Sequence, residues 1–301
     1  MRSGFVSIVG RPNAGKSTLL NALVGEKLAI VTPKPQTTRT RVLGILNLPK
    51  NGSRPAAQVV LIDTPGVHKS HSSLDRTMAH EIRNALEGCD LVLWIVDATR
   101  KRGSEDEYAL DLVRKSNTPA FLLLNKIDLI DKVKLLPLIE ELRQMHDFGE
   151  IIPISARKRV GLPVLLEKIT ALLPSGPAHF PVDQITDQPV RFMAAEIIRE
   201  QMLLAMAEEV PYATAVVIER FEEGPKLTKI SALIYCERDG QKAIIIGKGG
   251  LMLKQIGTSA RLQIERMLDT KVFLELFVKV EPDWRQRRDF IEGLDWRRQL
   301  E

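Results

Sequence analysis

The chain has 301 residues, of which 44% are hydrophobic, and it carries a formal net charge of +5. This length exceeds the usual size of one domain, so two packed domains are expected. There is no run of about 18 apolar residues, so neither a membrane-spanning helix nor a signal peptide is expected, and a cytoplasmic protein is predicted. Cys89 and Cys236 lie far apart in apolar stretches, and this spacing favours two reduced core thiols over a zinc site.

Short apolar runs alternate with helical patterns in the first half of the chain. The apolar runs are residues 5–9, 59–62, 91–96, 120–124 and 151–154. The helical patterns are residues 16–24, 74–86, 105–115 and 135–145. This alternation predicts an α/β domain, a mostly parallel sheet with helices on both faces. Such sheets bind their ligands at the carboxyl ends of the strands.

Residues 10–17 (GRPNAGKS) follow the first apolar run and match the phosphate-binding loop G-x-x-x-x-G-K-[ST]. Backbone N–H groups of such a loop surround phosphate oxygens at a helix N-terminus. Lys16 is expected to reach the outer phosphates, and Ser17 is expected to bind Mg²⁺. The side-chain oxygen of Asn13 is a candidate ligand for a monovalent cation, K⁺, that bridges the phosphates. The other nucleotide contacts predicted in this loop are Gly10, Ala14, Gly15 and Thr18.

Two further segments are expected to respond to the outermost phosphate. In residues 63–66 (DTPG), Asp63 is predicted to hold Mg²⁺ through water, and Gly66 to let a backbone N–H approach the phosphate. Residues 36–41 (QTTRTR) offer hydroxyls to the Mg²⁺ shell; Thr38 is the chosen ligand and Thr37 is the competing register. The predicted catalytic set is therefore Lys16, Thr38, Asp63 and Gly66.

Val67 occupies the position where many nucleotide-hydrolysing proteins with such a phosphate loop carry a glutamine that orients the attacking water. A valine side chain has no polar atom for this task. Backbone groups, a further water, a cation or a partner must then place the water, and slow intrinsic turnover is expected. His68 and His71 follow in the same loop, and they are interpreted as solvated side chains in preference to catalytic ones.

Residues 125–128 (NKID) follow the fourth apolar run and indicate a guanine base. The carboxylate of Asp128 has two acceptor oxygens that match the N1–H and N2–H₂ donors of guanine, whereas adenine has an acceptor at N1. Asn125 is expected to contact the base edge or to tie this loop to the phosphate loop, and Lys126 to lay its stem along the ring. The backbone of Ser155 and Ala156 is expected to meet the base oxygen. The predicted ligands are therefore GTP and GDP.

Four prolines and a loss of periodicity mark residues 174–189 as a linker between predicted domains 1–173 and 190–301. The second domain begins with a predicted helix over 191–209 and strands over 214–222 and 228–236. A helix after Gly250, a longer helix over 258–268 and a strand over 271–280 complete it. These elements are typical of a small α+β domain.

The motifs GRPNAGKS, QTTR, DTPG and NKID, with a hydrophobic residue at Val67, resemble the TrmE–Era–EngA group of translation GTPases. Beyond the linker, residues 244–250 (IIIGKGG) and the helical residues 251–268 resemble the G-x-x-G loop of a type II K-homology domain, which narrows the resemblance to the Era family over essentially the whole chain. In that family this loop clamps single-stranded RNA. The resemblance implies a GTP-hydrolysing switch that binds the 3′ end of 16S ribosomal RNA and assists assembly of the 30S subunit. Peripheral contact with the inner face of the cell membrane is left open, and a monomer is expected.

Between Gln241 and Val280 seven basic residues accompany three acidic ones, so phosphate attraction is expected to concentrate there. The rings of Trp284, Phe290 and Trp296 could stack on bases, but they are interpreted first as anchors of the terminal helix. An alternative makes this domain a protein-docking module. The predicted RNA contacts are Gly247, Lys248, Gly249, Gly250, Lys254, Lys279, Arg285 and Arg288.

Overall fold

The computed structural model describes residues 1–52, 54–67, 72–206 and 210–299, and the chain divides into two compact units. Unit 1 comprises Met1–His71 and Asp75–Asp187, and unit 2 comprises Ser72–Leu74 and Gln188–Glu301. The domain limits 1–173 and 190–301 stay a prediction. None of the helices described is both long and apolar enough to cross a membrane.

Unit 1 is built on a six-stranded sheet in the order β2-β3-β1-β4-β5-β6. Its strands are β1 (Arg2–Val9), β2 (Val42–Leu48), β3 (Ala57–Asp63), β4 (Leu91–Asp97), β5 (Ala120–Asn125) and β6 (Glu150–Pro153). Neighbouring strands run parallel, except that β2 is antiparallel to β3. The predicted α/β fold with a mostly parallel sheet is confirmed.

Helices cover the sheet of unit 1. They are α1 (Lys16–Val24), α2 (Ser73–Leu86), α3 (Ser104–Ser116), α4 (Lys132–Arg143) and α5 (Leu162–Leu172). On one face, Trp94 and Leu122 belong to a core cluster with Val113 of α3 and Leu142 of α4. The neighbouring strand residues, such as Leu93, are equally buried, because alternate side chains point to opposite faces. Burial on both faces is typical of a parallel sheet and explains the continuous apolar runs.

Strand β2 was not among the predicted strands. Gly44 and Asn47 interrupt its apolar pattern, and the strand lies at the edge of the sheet, where pairing on one side suffices. A Cβ at Gly44 would lie 2.8 Å from side-chain atoms of Leu20 and Val24 in α1. The glycine that weakened the strand pattern is therefore what lets α1 pack closely on β2.

Residues 179–186, here called the edge segment, run along β2 although they were predicted as linker. The backbone N–H of Ile45 donates to the carbonyl oxygen of Ile185 at 2.8 Å, and the Thr186 hydroxyl donates to the Leu43 carbonyl at 2.8 Å. The side chain of Gln58 in β3 donates to the Phe180 carbonyl at 2.8 Å. Part of the predicted linker is thus fixed to unit 1.

Unit 2 contains a three-stranded sheet in the order β7-β8-β9, with β7 antiparallel to β8 and β8 parallel to β9. Ile198 in the first helix, Ile234 in β8 and Ile256 and Ile264 in α8 form its buried core. The elements are α6 (Val190–Ala205), β7 (Ala215–Glu222), β8 (Leu227–Cys236), α7 (Asp239–Ile246), α8 (Leu251–Leu268), β9 (Lys271–Val280) and α9 (Arg288–Gly293).

Two helix predictions in unit 2 were wrong. Helix α7 was missed; its start is set by Gln241, whose side-chain oxygen accepts hydrogen bonds from the N–H groups of Glu237 and Arg238 at 2.8 and 3.2 Å. Helix α8 is one continuous helix, not two. Gly257, just before the predicted second helix, lies within α8; a Cβ there would lie 3.2 Å from Leu276, so the glycine serves close packing of α8 against β9.

Candidate functional site

The phosphate loop lies between β1 and α1 and leaves little room for side chains. Gly15 has a φ of 105°, and a Cβ there would lie 2.2 Å from the side-chain nitrogen of Asn125, so only glycine fits. Lys16 donates to the carbonyl oxygens of Gly10 and Arg11 at 3.0 and 2.9 Å. Burial lowers the pKa of Lys16 to about 8, although the nearby carboxylates of Asp63 and Glu105 oppose this. The two carbonyl oxygens hold the Lys16 amino group within the loop.

Ser17, Thr38 and Asp63 meet in one cluster of oxygens. The Ser17 hydroxyl donates to Asp63 Oδ2 at 2.6 Å, and Thr38 Oγ1 lies 2.9 Å from Ser17 Oγ and 3.4 Å from Asp63 Oδ2. Burial raises the pKa of Asp63 to about 6, against the effects of Lys16 and both hydroxyls. The other oxygen, Asp63 Oδ1, is buried without a hydrogen-bond partner among the described residues. Two hydroxyls and a carboxylate with an unused oxygen fit a Mg²⁺ ion, which prefers oxygen ligands.

The two candidate threonines are in different environments. Thr37 Oγ1 hydrogen-bonds Thr32 Oγ1 and the Lys34 carbonyl, each at 2.7 Å, whereas Thr38 faces Ser17 and Asp63. This geometry supports the choice of Thr38.

The segment after Asp63 passes directly against the phosphate loop. A Cβ at Gly66 would lie 2.9 Å from Cα of Pro12, and the Val67 N–H donates to the Gly10 carbonyl at 3.3 Å. The Val67 side chain is 0% exposed and belongs to the core cluster that contains Val9 and Ile82. Its side chain therefore lies in the core, away from any water that attacks a phosphate. His68 and His71 lie outside the described residues.

Asn125 joins three loops. Its side-chain nitrogen donates to the Ala14 carbonyl at 2.8 Å, and its side-chain oxygen accepts the Ala156 N–H at 3.0 Å. Of the two roles that the sequence left open, the structure shows the tie to the phosphate loop. Asp128 lies exposed just beyond β5 and has no hydrogen bond or ion pair with any residue that the structure describes, so its carboxylate is available to a ligand.

The backbone donors of Ser155 and Ala156 are already used within the protein. The Ser155 N–H donates to the Val160 carbonyl at 3.1 Å, and the Ala156 N–H donates to Asn125. A base oxygen at this place would have to share the Ala156 hydrogen with Asn125. The predicted contact between this backbone and the base oxygen therefore requires the Ala156 N–H to donate to the base and to Asn125 at once.

A cluster of charges beside these loops was missed from the sequence. Lys126 Nζ lies 2.6 Å from Asp97 Oδ2, and Asp97 Oδ1 accepts from the N–H and the hydroxyl of Thr99 at 3.0 and 2.6 Å. Arg11 lies 3.7 Å from Asp97 Oδ2 and 3.0 Å from Asp106 Oδ2. Burial alone would raise the pKa of Asp97, but the hydrogen bonds from Lys126 and Thr99 hold it below its usual value. The signal in the sequence was an aspartate at the carboxyl end of a buried strand, as at Asp63.

These loops surround a cavity of about 600 Å³, a size typical of small-molecule sites. Asn13, Gly15, Ser17, Thr18, Thr38 and Gly66 line it. The side-chain nitrogen of Asn13 donates to the Pro33 carbonyl at 2.7 Å. No carboxylate lines the cavity among the described residues, and its basic residues suit an anionic ligand; they are Lys16, Lys34, Arg100, Lys126 and Arg157. The predicted nucleotide and Mg²⁺ contacts that do not line the cavity are Gly10, Ala14, Asp63, Asn125, Asp128, Ser155 and Ala156.

In unit 2, residues 247–250 form a tight loop between α7 and α8. Gly247, Gly249 and Gly250 have φ values of 72°, 59° and 78°, which favour glycine. A Cβ at Gly249 or Gly250 would meet no atom within 4 Å, so this part of the loop is open to an approaching chain. Lys248 lies between these glycines.

The loop opens into a groove of about 370 Å³ between α8 and β9. Leu253, Leu274 and Leu276 give it an apolar lining, and Lys254 and Arg261 give it a basic one. Arg261 was not among the predicted contacts, although its spacing of seven residues from Lys254 puts both on one helix face. Apolar surface for bases and cations for phosphates suit single-stranded RNA.

Of the eight predicted RNA contacts, Gly250 and Lys254 line this groove. Three others lie neither in the glycine loop nor among the lining residues, and they stay predictions. Lys279 is odd-numbered in β9 and so lies on the face opposite Leu274 and Leu276. Arg285 forms a paired contact with Glu237 at 2.6 and 3.0 Å. Arg288 lies 2.6 Å from Glu292, one helical turn along α9.

The three aromatic rings of the tail are packed within unit 2. Trp284 is fully buried and donates to the Ala213 carbonyl at 3.0 Å. Phe290 lies against Tyr235 with ring centres 5.0 Å apart, and Trp296 is 8% exposed. These contacts agree with the interpretation of the rings as anchors.

Comparison with known proteins covers both units. A family model described as 50S ribosome-binding GTPase matches residues 5–126, and a KH domain model matches residues 209–285. GTPase Era of Syntrophus aciditrophicus is 49% identical over 285 residues, which is 94% of this chain and 91% of that protein. GTPase Era of Geobacter metallireducens is 48% identical over 297 residues, 98% of each. The chain belongs to the Era family.

Solved Era structures share the fold of this Era-family chain. One is a crystal structure of Era in complex with MgGDPNP and nucleotides 1506–1542 of 16S ribosomal RNA; it is 42% identical, covers 98% of this chain and 99% of its own, and has a TM-score of 0.93. Another is a variant Era from Aquifex aeolicus bound to GDP·AlF₄⁻, with the same identity, coverage and TM-score. The predicted family and the K-homology fold of unit 2 are confirmed.

Proposed function

We propose that this chain binds and hydrolyses GTP in unit 1, binds the 3′ end of 16S ribosomal RNA in unit 2, and thereby assists assembly of the 30S subunit. The observation that carries the proposal is the pairing of a cationic nucleotide cavity with an open glycine loop and basic groove in one chain. The Era structure with MgGDPNP and 16S nucleotides 1506–1542 supports both halves of it.

In the nucleotide site, the buried ammonium of Lys16 exchanges its two carbonyl partners for oxygens of the outer phosphates. Ser17, Thr38 and Asp63 hold Mg²⁺, which neutralises charge on the phosphate oxygens. Gly66 brings a backbone N–H to the outermost phosphate, because no side chain separates the two. Thr38, Asp63 and Gly66 are the residues that would respond to the outermost phosphate and so distinguish GTP from GDP.

The attacking water has no side chain from position 67 to orient it, because Val67 is buried in the core. Intrinsic hydrolysis is therefore slow, and a cation or a bound partner completes the site. Asn13, which lines the cavity, would hold K⁺ through its side-chain oxygen, and the ion would supply positive charge beside the phosphates. Faster hydrolysis in K⁺ than in Na⁺, with the difference lost in Asn13→Ala, is the expected result. Equal rates in the two salts would remove K⁺ from the proposal.

The nucleotide half is tested with Lys16→Ala in the full chain. Hydrolysis should be abolished, and affinity for GTP should fall more than affinity for GMP, because the ammonium contacts only the outer phosphates. Lys50→Ala, at an exposed site on the same unit, is the matched control and should leave both affinities unchanged. Equal losses for GTP and GMP would place Lys16 elsewhere in the site.

The RNA half is tested by titrating the full chain with an RNA of nucleotides 1506–1542 and with a shuffled RNA of the same composition. The intact sequence should bind more tightly at physiological salt, where the electrostatic contribution common to both RNAs is reduced. Failure to bind either RNA would favour the protein-docking alternative for unit 2.

We also propose, from membership of the family, that the chain acts as a monomer in the cytoplasm. Light scattering after size-exclusion chromatography measures the oligomeric state. Flotation with vesicles of anionic lipid tests the contact with the inner face of the membrane that the sequence left open.

A further inference from the structure

We infer that Asp97 is a positioning residue for guanine binding: it holds the ammonium of Lys126 so that the lysine stem lies along the base. Asp97 is not among the residues that line the nucleotide cavity, and it lies outside the four nucleotide motifs. The inference rests on the proposed GTP site and names a residue that this site needs in addition to its motifs.

Lys126 is held at both ends. Its backbone is in the left-handed region, with a φ of 68°, a conformation that few residues other than glycine adopt without support. Its Nζ lies 2.6 Å from Asp97 Oδ2, while 29% of its side chain is exposed and lines the cavity. The stem between these two fixed points therefore presents its methylene groups to the space that a base would occupy.

Asp97 is itself immobile. Its side chain is 2% exposed, and its second oxygen accepts two hydrogen bonds from Thr99, one from the backbone and one from the hydroxyl. A carboxylate fixed at one oxygen can place a cation at the other with a defined direction. Charge-assisted bonds of this kind are shorter and stronger than neutral ones.

Oδ2 of Asp97, the oxygen that contacts Lys126, also lies 3.7 Å from a guanidinium nitrogen of Arg11 in the phosphate loop. Arg11 in turn lies 3.0 Å from Asp106 Oδ2 in α3, and the backbone N–H of Gly103 donates to that oxygen at 3.1 Å. Asp97 thus contacts one residue of the phosphate loop, Arg11, and one residue of the base-selecting loop, Lys126. Lys126 remains partly exposed and lines the cavity, so its stem is open to a ligand there while its ammonium is held.

The test is a double-mutant cycle measured by GDP affinity and dissociation rate in the full chain. Asp97→Asn keeps the shape of the side chain and removes its charge; GDP should bind about tenfold more weakly and dissociate correspondingly faster. Lys126→Met keeps the stem and removes the ammonium. In that background Asp97→Asn should change GDP affinity by less than about twofold, because two residues that act through one contact are not additive.

Asp106→Asn is the matched control, since it removes the charge of the other carboxylate that contacts Arg11 and keeps the contact between Asp97 and Lys126. It should change GDP affinity by less than about threefold, well short of the Asp97→Asn effect. If Asp97→Asn does not fold, Thr99→Val, which removes one hydrogen bond to Asp97 at an exposed position, serves in its place and should weaken GDP binding in the same direction.

Unchanged GDP affinity in folded Asp97→Asn, or equal losses with and without the Lys126 ammonium, would overturn the inference. Both outcomes differ from failure of the proposed function, which would show as absence of GDP binding by the unmodified chain.

Discussion

The side chain of Asn125 donates a hydrogen bond to the carbonyl oxygen of Ala14 at 2.8 Å, so the base-selecting loop holds the phosphate loop in place. The two residues are 111 positions apart in the chain. Because the same side chain also accepts the Ala156 N–H, one buried amide fixes the relative positions of three loops.

Asn125→Ala should therefore destabilise unit 1 even without nucleotide. It removes two hydrogen bonds and leaves a buried carbonyl and a buried N–H unpaired, at a cost of about 2–4 kcal/mol in the free energy of unfolding. Urea denaturation of the nucleotide-free protein measures this cost. A midpoint equal to that of the unmodified protein would show that the three loops are fixed by other contacts.

Asp128→Asn should exchange guanine for xanthine preference. The amide replaces one acceptor by a donor that suits the O2 oxygen of xanthine, and loss of a charge-assisted pair should weaken GDP binding by about 2–4 kcal/mol. Since Asp128 is exposed and unpartnered among the described residues, the fold should be unaffected. Affinities for GDP and XDP measured side by side, with Asp131→Asn three residues further on as control, test this. Retained GDP preference would remove Asp128 from the base site.

Val67→Gln should not accelerate hydrolysis, although glutamine occupies this position in many GTPases. The site is fully buried among apolar side chains, so the new amide should cost about 1–3 kcal/mol of stability for want of a partner. Val67→Ala, which loses packing but adds no polar group, is the comparison for turnover. Single-turnover rates of GTP hydrolysis measure the effect. A large increase in rate with glutamine would mean that the loop rearranges and places this side chain in the cavity.

Lys248→Asp with Gly249→Asp should abolish RNA binding and leave GDP binding intact. The pair removes one cation and adds two anions where the loop is open, which should cost several kcal/mol, on the order of a thousandfold in affinity at low salt, with a shallower salt dependence. Titration of the RNA of nucleotides 1506–1542 at several salt concentrations measures the RNA affinity and its salt dependence.

A matched control for this pair is Lys226→Asp with Gly88→Asp. Lys226 is an exposed lysine, and Gly88 has a φ of 76° with no atom within 4 Å of an added Cβ, so the charge change and backbone strain are comparable but fall outside residues 247–250. Equal loss of RNA affinity in both pairs would mean that net charge matters and the glycine loop does not.

The nucleotide site was predictable because its residues lie at strand ends of one sheet. Asp63 ends β3 and Asn125 ends β5, and parallel strands bring their carboxyl ends to one edge whatever the loops contain. The choice between Thr37 and Thr38 could not be settled from the sequence, since both are hydroxyls in one loop, and only the contacts of Thr38 with Ser17 and Asp63 separate them.

What the sequence could not show depends on contacts between distant residues. Arg285 stays a predicted RNA contact, but Glu237, 48 residues away in the chain, forms an ion pair with it. The continuity of α8 depends on close packing of Gly257 against Leu276. Lys279 also stays a prediction, and strand parity places it on the face of β9 opposite Leu274 and Leu276.

The edge segment determines where the chain can be truncated to give unit 1 alone. A fragment that stopped at residue 173, the predicted domain limit, would lose the partners of Ile45 and Leu43 and expose the outer rim of β2. Exposed strand edges of this kind pair between molecules and lead to aggregation. A fragment that continues to Asp187 retains its cover and should stay dispersed, and light scattering of the two fragments at equal concentration would show the difference.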